Sequence, residues 1–316
     1  MTKASHVAMG AGEEFDAIRT MIAVWGAQAK GIGDDAAVLE IPSGERLVAS
    51  TDAAIEGIHF RREWLTPAEI GGRAAAAALS DLAAMAAAPR GLLLALAVPK
   101  SWRHALSELA RGVGNAAAAA GCPIVGGNVT NAGELTLTCT VLGSTKEPLG
   151  RGGAQVGDVL FVTGSLGGAG AALSALLAGT TPEPGHRLRF AAPVARIREA
   201  QWLASRGARA GIDISDGLLA DATHLAHASR VSLAIDAASV PHVPGVSARD
   251  ALSSGEEFEL LVAVPPDRAS QIDAAAFQRQ FGIALTAIGT VRAGGAGEVA
   301  IDGLDAAPVG GHDHFA

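Results

Sequence analysis

The residues most able to do chemistry in this chain are aspartates in turn-like settings. Asp34 and Asp35 lie in a glycine turn, Gly31-Ile32-Gly33-Asp34-Asp35, and Asp52 closes the run Ser50-Thr51-Asp52 after an apolar strand. Asp81 sits inside an apolar helix, in Leu79-Ser80-Asp81-Leu82, and Asp213 and Asp216 bracket the turn Asp213-Ile214-Ser215-Asp216-Gly217. Magnesium is a hard ion, usually held by one or two carboxylates together with substrate phosphates. Carboxylates at strand ends and helix starts can converge on one cleft. The same residue type also serves plain structural ends. Asp34 or Asp35 could cap a turn, and Asp216 could cap a helix starting near Leu218. Asp81 differs, because an unpaired charge on a helix that is apolar nearly all round is expensive. That points to a functional or metal role.

Phosphate-binding signals are weaker. No GxxxxGK[ST] string occurs, which argues against a P-loop nucleotidase. Gly164-Ser165-Leu166-Gly167-Gly168 follows a strand and opens a helix, where backbone amides can bind phosphate, although a plain tight turn explains it equally well. Gly126-Gly127-Asn128 permits close approach of backbone to a ligand. Arg151, in a glycine-rich segment, could contact a phosphate or simply be solvated. Asp221, His224 and His227 share a spacing compatible with zinc, but no supporting ligands stand elsewhere. His312-Asp313-His314 near the C terminus is metal-like or part of a tail that closes a site. No serine or cysteine hydrolase constellation is present.

These residues need elements to position them. The chain has 316 residues, enough for two domains with a core each. Apolar residues make up 49%, which excludes a disordered chain. A net charge of −8 gives no electrostatic footprint for nucleic acid or an anionic membrane. Two cysteines in apolar runs, Cys122 and Cys139, read as buried reduced thiols. No run reaches the length of a membrane span, and no basic-then-apolar leader is visible, so a cytoplasmic protein is expected. Periodicity predicts helices over Glu13–Gln28, Pro67–Ala87, Ser101–Ala120, Val194–Ser205, Leu218–Ala228 and Pro266–Phe281, with another after the 164–168 turn. It predicts strands over Ala36–Ile41, Leu47–Thr51, Gly91–Val98, Cys122–Val125, Leu135–Leu142, Val159–Thr163, Val231–Ile235, Leu260–Val264 and Leu285–Val291. Lys146–Gly157 lacks apolar periodicity and marks a domain boundary, giving domains 1–148 and 149–316. Strands and helices alternate in both halves, so the class is mixed α/β or α+β.

In order along the chain, the segments Gly31–Ala36, Ser50–Asp52, Glu56-Gly57-Ile58-His59-Phe60, Leu79–Met85, Ile212–Leu218, Gly255-Glu256-Glu257-Phe258-Glu259-Leu260 and Asp313-His314-Phe315 resemble the motifs of thiamine-monophosphate kinases. The resemblance implies a fold shared with aminoimidazole-ribonucleotide and selenophosphate synthetases, whose first domain forms a β-barrel with that of a second copy. It implies transfer of the γ-phosphoryl group of ATP to thiamine monophosphate, giving thiamine diphosphate, with several magnesium ions. By position the metal ligands would be Asp35, Ser50, Thr51, Asp52, Asp81, Asp213 and Asp216. ATP would be contacted by Gly127, Asn128, Arg151 and Ser215, and the substrate by His59, Glu256 and His312. Such a transfer needs positioning and charge neutralisation rather than a protein nucleophile or base.

Three positions depart from the family pattern. Asn128 stands where a magnesium-binding aspartate is expected, so it can offer a metal only an uncharged oxygen. Phe258 stands for a tyrosine, and His312 replaces the tyrosine that would pack on the substrate. Two other readings follow: a kinase with a different phosphorylated acceptor, and a non-catalytic nucleotide-binding regulator.

Overall fold

The computed structural model describes residue 6 and residues 11–304, in two compact units. Of the described residues, those up to 82 and 87–147 form the first, and 83–86 and 148–304 form the second. None of the described helices is long and apolar enough to cross a membrane.

The first unit runs α1 (Glu13–Trp25), β1 (Arg46–Ile55), α2 (Pro67–Ala84), β2 (Ala88–Val98), α3 (Leu106–Ala119), β3 (Ile124–Asn131) and β4 (Thr136–Thr145). Its sheet has the order β1-β4-β2-β3, with β4 antiparallel to both neighbours and β2 parallel to β3. Parallel neighbours require a crossover, and α3 supplies the one between β2 and β3. The helices α2 and α3 touch backbone to backbone. A Cβ on Gly71 would lie 2.2 Å from the Leu109 carbonyl oxygen, and one on Gly112 would lie 1.9 Å from that of Ala68. The alanine and glycine content of both helices is what allows this approach. Trp25 of α1 ties in by donating its indole N–H to the Ala110 carbonyl at 2.8 Å.

One face of the sheet lies under helices; the other is uncovered. Along β1, Val48, Ser50, Asp52 and Ala54 are half-buried, whereas Leu47, Ala49, Thr51 and Ala53 are exposed, the period-2 pattern of a strand covered on one side. Neither sheet of the chain closes on itself among the described residues.

The second unit runs β5 (Val159–Thr163), α4 (Gly168–Leu177), α5 (Pro184–Ala191), α6 (Ile197–Ser205), β6 (Ala210–Asp213), α7 (Leu218–Ser229), β7 (Ser232–Asp236), α8 (Ala248–Ser253), β8 (Leu260–Val264), α9 (Pro266–Ala269), α10 (Ala274–Phe281), β9 (Leu285–Arg292) and β10 (Val299–Asp302). The sheet order is β10-β7-β9-β5-β8-β6, antiparallel except for β10 against β7. Every residue of β8 is buried, as in a strand covered on both faces. One core gathers Leu160, Ile212, Leu218, Leu225, Leu233 and Leu261. In another group, Trp202 meets the Phe277 ring edge-on at 5.2 Å. The class is mixed α/β in two units, as the sequence predicts.

Several local expectations are corrected. Ala36–Ile41 is not a strand: it joins no ladder, and Val38 is 93% exposed. Local β preference does not make a strand without a neighbouring edge. Asp52 lies well inside β1 rather than at its end, because pairing with β4 continues to Ile55↔Thr136. The helix expected over Pro266–Phe281 breaks into two, since Asp273 accepts the Ala276 N–H at 2.9 Å and starts a new helix. The Ser101–Ala120 helix begins as a 3-10 turn over Lys100–Ala105. The elements β6, β10, α5 and α8 had no sequence prediction.

Candidate active-site residues

In the first unit, strand alternation and helix packing bring Ser50, Asp52 and Asp81 together. Ser50 donates its hydroxyl to the Asp81 Oδ2. Asp81 is half-buried, so its charge is neither alone nor fully sunk in apolar surroundings. Burial, and then the Asp81 charge, push the Asp52 carboxyl up to about 6 from its ordinary 3.8. Two carboxylates that resist joint ionisation are suited to a shared cation. Thr51 points to the opposite, exposed face, where its hydroxyl meets that of Thr140 at 2.9 Å. Asp35 is exposed, and its N–H donates to the neighbouring Asp34 Oδ1 at 2.9 Å, so the turn-capping side chain weighed from sequence is that of Asp34.

Gly127 and Asn128 stand on β3, the far edge of the sheet. The row through Asp52 runs Asp52↔Cys139↔Leu94↔Gly127, and the next runs Ala53↔Thr138↔Ala95↔Asn128. Three strand spacings separate Asp52 from Gly127, about 14 Å. Asn128 shares the row of Ala53, on the other face of the sheet from Asp52. Gly127 has φ +151°, and a Cβ there would lie 1.9 Å from the Leu94 carbonyl oxygen, so this backbone suits glycine alone.

His59 follows β1 in the turn closed by the Gly57 N–H and Phe60 carbonyl at 2.8 Å. Its Nδ1 accepts the Ile55 N–H at 3.2 Å, which leaves Nε2 to carry the ring proton when His59 is neutral. Glu56 beside it accepts from Arg62 Nε at 2.9 Å and from Trp102 Nε1 at 2.8 Å.

In the second unit, β6 ends at buried Asp213, Ile214 anchors in the core, and Ser215-Asp216-Gly217 leads into α7. Asp216 does not cap α7; the capping position is Gly217, without a side chain. Asp221 does the work instead. Its Oδ2 accepts the N–H groups of Ser215, Asp216 and Gly217 at 3.0, 3.1 and 3.1 Å. Burial, with the Asp213 and Asp216 charges, raises the Asp221 carboxyl to about 7. Sequence reasoning did not find this role; the available signal was an acid in the first turn of a helix preceded by glycine. With Asp221 buried and His224 and His227 exposed, the zinc spacing does not make one site. Among the described residues, no three His, Cys, Asp or Glu side chains gather as a metal-binding group.

Glu256 lies against the same loop: its N–H donates to the Ser215 carbonyl at 2.6 Å, and that of Phe258 donates to Ile214 at 2.9 Å. Glu256 and Phe258 have φ of 59° and 52°, left-handed values that non-glycine residues hold only under constraint. That constraint is a buried network. Glu259 accepts from Arg196 Nε at 2.8 Å and from the Thr163 hydroxyl at 2.7 Å. Glu257 accepts the Gly167 and Ala169 N–H groups at 2.9 and 3.0 Å and the Ser254 hydroxyl at 2.6 Å. The start of α4, weighed from sequence as a phosphate cradle, is therefore filled by a carboxylate of the chain itself.

Arg151 is exposed, and its backbone carbonyl accepts the Ser229 hydroxyl at 2.7 Å. Ser229 ends α7, so the Arg151 backbone lies at the opposite end of that helix from Asp216. His312 and the rest of the Asp313-His314-Phe315 motif lie outside the described residues.

The chain matches the model of the AIR synthase related protein N-terminal domain over residues 33–145 and of the corresponding C-terminal domain over residues 155–302. That defines the broad class. A thiamine-monophosphate kinase of Synechococcus elongatus is 39% identical over 258 residues, 76% of this chain and 79% of that protein. That of Salmonella typhimurium is 36% identical over 312 residues, 90% and 92% of the two. The chain belongs to the thiamine-monophosphate kinase family. The crystal structure of the Stenotrophomonas maltophilia kinase superposes with a TM-score of 0.82 at 31% identity, covering 91% of this chain and 97% of that one. The structure "AaThiL complexed with AMPPCP and TMP" superposes at 0.77 and 31% identity, covering 98% and 99%.

Proposed function

We infer that this chain is an ATP-dependent kinase that phosphorylates thiamine monophosphate to thiamine diphosphate. The family membership supports it, and the observation that carries it is the acidic group Ser50–Asp52–Asp81, which fits a hard cation. Related proteins are named for this activity, and one was solved with an ATP analogue and TMP. We assign the cation as magnesium on donor chemistry. The groups on offer are carboxylate and hydroxyl oxygens, and one or two protein carboxylates suffice when phosphates complete the shell. Bound magnesium would neutralise the charge that develops on the transferred group.

The residues of the chain have matching tasks. Asp52 and Asp81, bridged to the strand by Ser50, hold one cation; Asp213 and Asp216 hold another, with Asp35 and Thr51 added by resemblance alone. Ser215, Gly127, Asn128 and Arg151 contact ATP. Glu256 and His59 orient thiamine monophosphate, and His312 is assigned there by family position only. The acceptor oxygen belongs to an ionised phosphate, so no side chain removes a proton from it and transfer proceeds directly in line.

The assembly is a homodimer in the cytoplasm. The uncovered face of the first sheet, with Leu47, Ala49, Ala53 and Ala95, supports a second copy as its cover, since exposed apolar sheet faces mark interfaces. Leu47→Glu is expected to yield monomer by light scattering; an unchanged dimer would remove this reading. Cys122 and Cys139 are buried free thiols raised to about 12 by burial, in keeping with a reducing compartment.

The test is product identification with ATP, magnesium and a panel of phosphorylated acceptors. Thiamine diphosphate is the expected product. Activity on another acceptor alone would favour the altered-substrate reading that Phe258 and His312 raise. Tight ATP binding without any product would favour the regulator.

A further inference from the structure

Asp221 is 2% exposed and lies outside the magnesium ligand set that the resemblance implies. One of its oxygens accepts three consecutive backbone N–H groups, those of Ser215, Asp216 and Gly217. Three adjacent amides on one anion form a filled backbone nest. From the other side, the carbonyls of Ile214 and Ser215 accept the N–H groups of Phe258 and Glu256 at 2.9 and 2.6 Å, and the Ile214 N–H donates to the Glu259 carbonyl at 2.8 Å. The amides are thus turned toward Asp221 and the carbonyls toward the 256–259 segment, and no peptide from Ile214 to Gly217 is left to rotate freely. Asp213 precedes the clamped stretch and Asp216 lies within it, and theirs are the charges facing Asp221.

We propose that Asp221 is a positioning residue for the phosphoryl transfer, fixing through three amide hydrogen bonds the backbone that sets Asp213 and Asp216 for one cation. The inference rests on the metal-binding reading of those two aspartates. Without the acceptor, three neighbouring N–H groups, two on half-buried residues and one on buried Gly217, lose their partner together, and the loop must rearrange to satisfy them. A merely structural Asp221 would serve as the missing cap of α7. Loss of such a cap lowers stability and leaves the metal requirement alone.

The experiment measures turnover against magnesium concentration, with the thermal midpoint recorded alongside, for the full chain and for Asp221→Ala, Asp221→Asn and Asp216→Asn. Supporting residues of metal sites typically change metal affinity by about 10–100-fold, and Asp221→Ala is expected to raise the half-maximal magnesium concentration by about tenfold. The KM for thiamine monophosphate at saturating magnesium should stay unchanged. Asp221→Asn retains an acceptor oxygen and should recover most of the loss. An Asp221→Ala enzyme with a lower midpoint but an unshifted magnesium requirement would overturn the proposal, as would an Asn variant no better than Ala. If Asp216→Asn leaves the magnesium requirement unchanged, the metal reading itself fails, and the proposal with it.

Discussion

The two acidic groups are built in opposite ways. In the first unit Asp52 and Asp81 stand on a ten-residue strand and an eighteen-residue helix. Alternation along the strand and the turn of the helix aim them, and one hydroxyl, that of Ser50, ties Asp81 to the strand that carries Asp52. In the second unit Asp213, Ser215, Asp216 and Glu256 stand at a strand end and on loops, and three buried carboxylates, Asp221, Glu257 and Glu259, hold those loops. Regular elements satisfy their own backbone groups, so a site on them needs little bracing. Loops must be given partners for every buried N–H and C=O. Damage to the first group should therefore appear as lost chemistry at intact stability. Damage to the second should also unsettle the fold.

The largest effect tests the first half of that contrast. Asp81→Asn removes charge at nearly constant shape, and turnover should drop by about a thousandfold or more, in line with the several kcal/mol that a metal-held charge supplies. The unfolding midpoint should hardly move; a variant that loses stability and activity together would blur the distinction.

Arg196→Ala tests the second half. It takes from Glu259, fully buried, its hydrogen-bonded guanidinium partner and leaves it only that of Arg189 at 3.9 Å, and breaking such a buried pair costs about 3–5 kcal/mol. Denaturant unfolding should show the loss, while a change below about 1 kcal/mol would mean that the network is not a brace.

A pH series without metal reads both groups at once. Asp52 is raised to about 6 and Asp221 to about 7, both from 3.8. A raised carboxyl binds its proton more tightly in the folded state. Its contribution is therefore complete below about pH 4 and is lost as pH climbs through 6 and 7. In a chelator, the unfolding midpoint should fall across that window, and magnesium should restore it near pH 7. A midpoint that rises with pH would contradict the assignment.

The smallest effect is expected at Asn128. Its row and face keep it away from Asp52, so Asn128→Asp should shift the magnesium requirement only about twofold, the scale of a weak, screened charge effect. A tenfold decrease would place Asn128 within a metal shell.

Much of this was legible in the sequence, because the aspartate motifs are short contiguous strings and most strands and helices carry clear periodicity. What escaped depends on distant partners. Ala36–Ile41 is no strand because it joins no ladder, and where β1 ends is decided by its ladder with β4, neither by local preference. That the start of α4 is filled by Glu257 depends on residues 90 and 88 positions apart along the chain. The bond between Ser50 and Asp81 likewise joins a strand to a helix 31 positions on. Asp221 lay closer to view, yet the eye goes to its spacing with His224 and His227 rather than to the three amides just before it.

The account stands most directly on whether the chain makes thiamine diphosphate in a cation-dependent way. The purified protein, given ATP and thiamine monophosphate while magnesium is titrated, should form thiamine diphosphate and ADP in equal amounts, and a chelator should stop it. Product that persists in chelator, or a folded protein that binds ATP and magnesium and forms none, would contradict it.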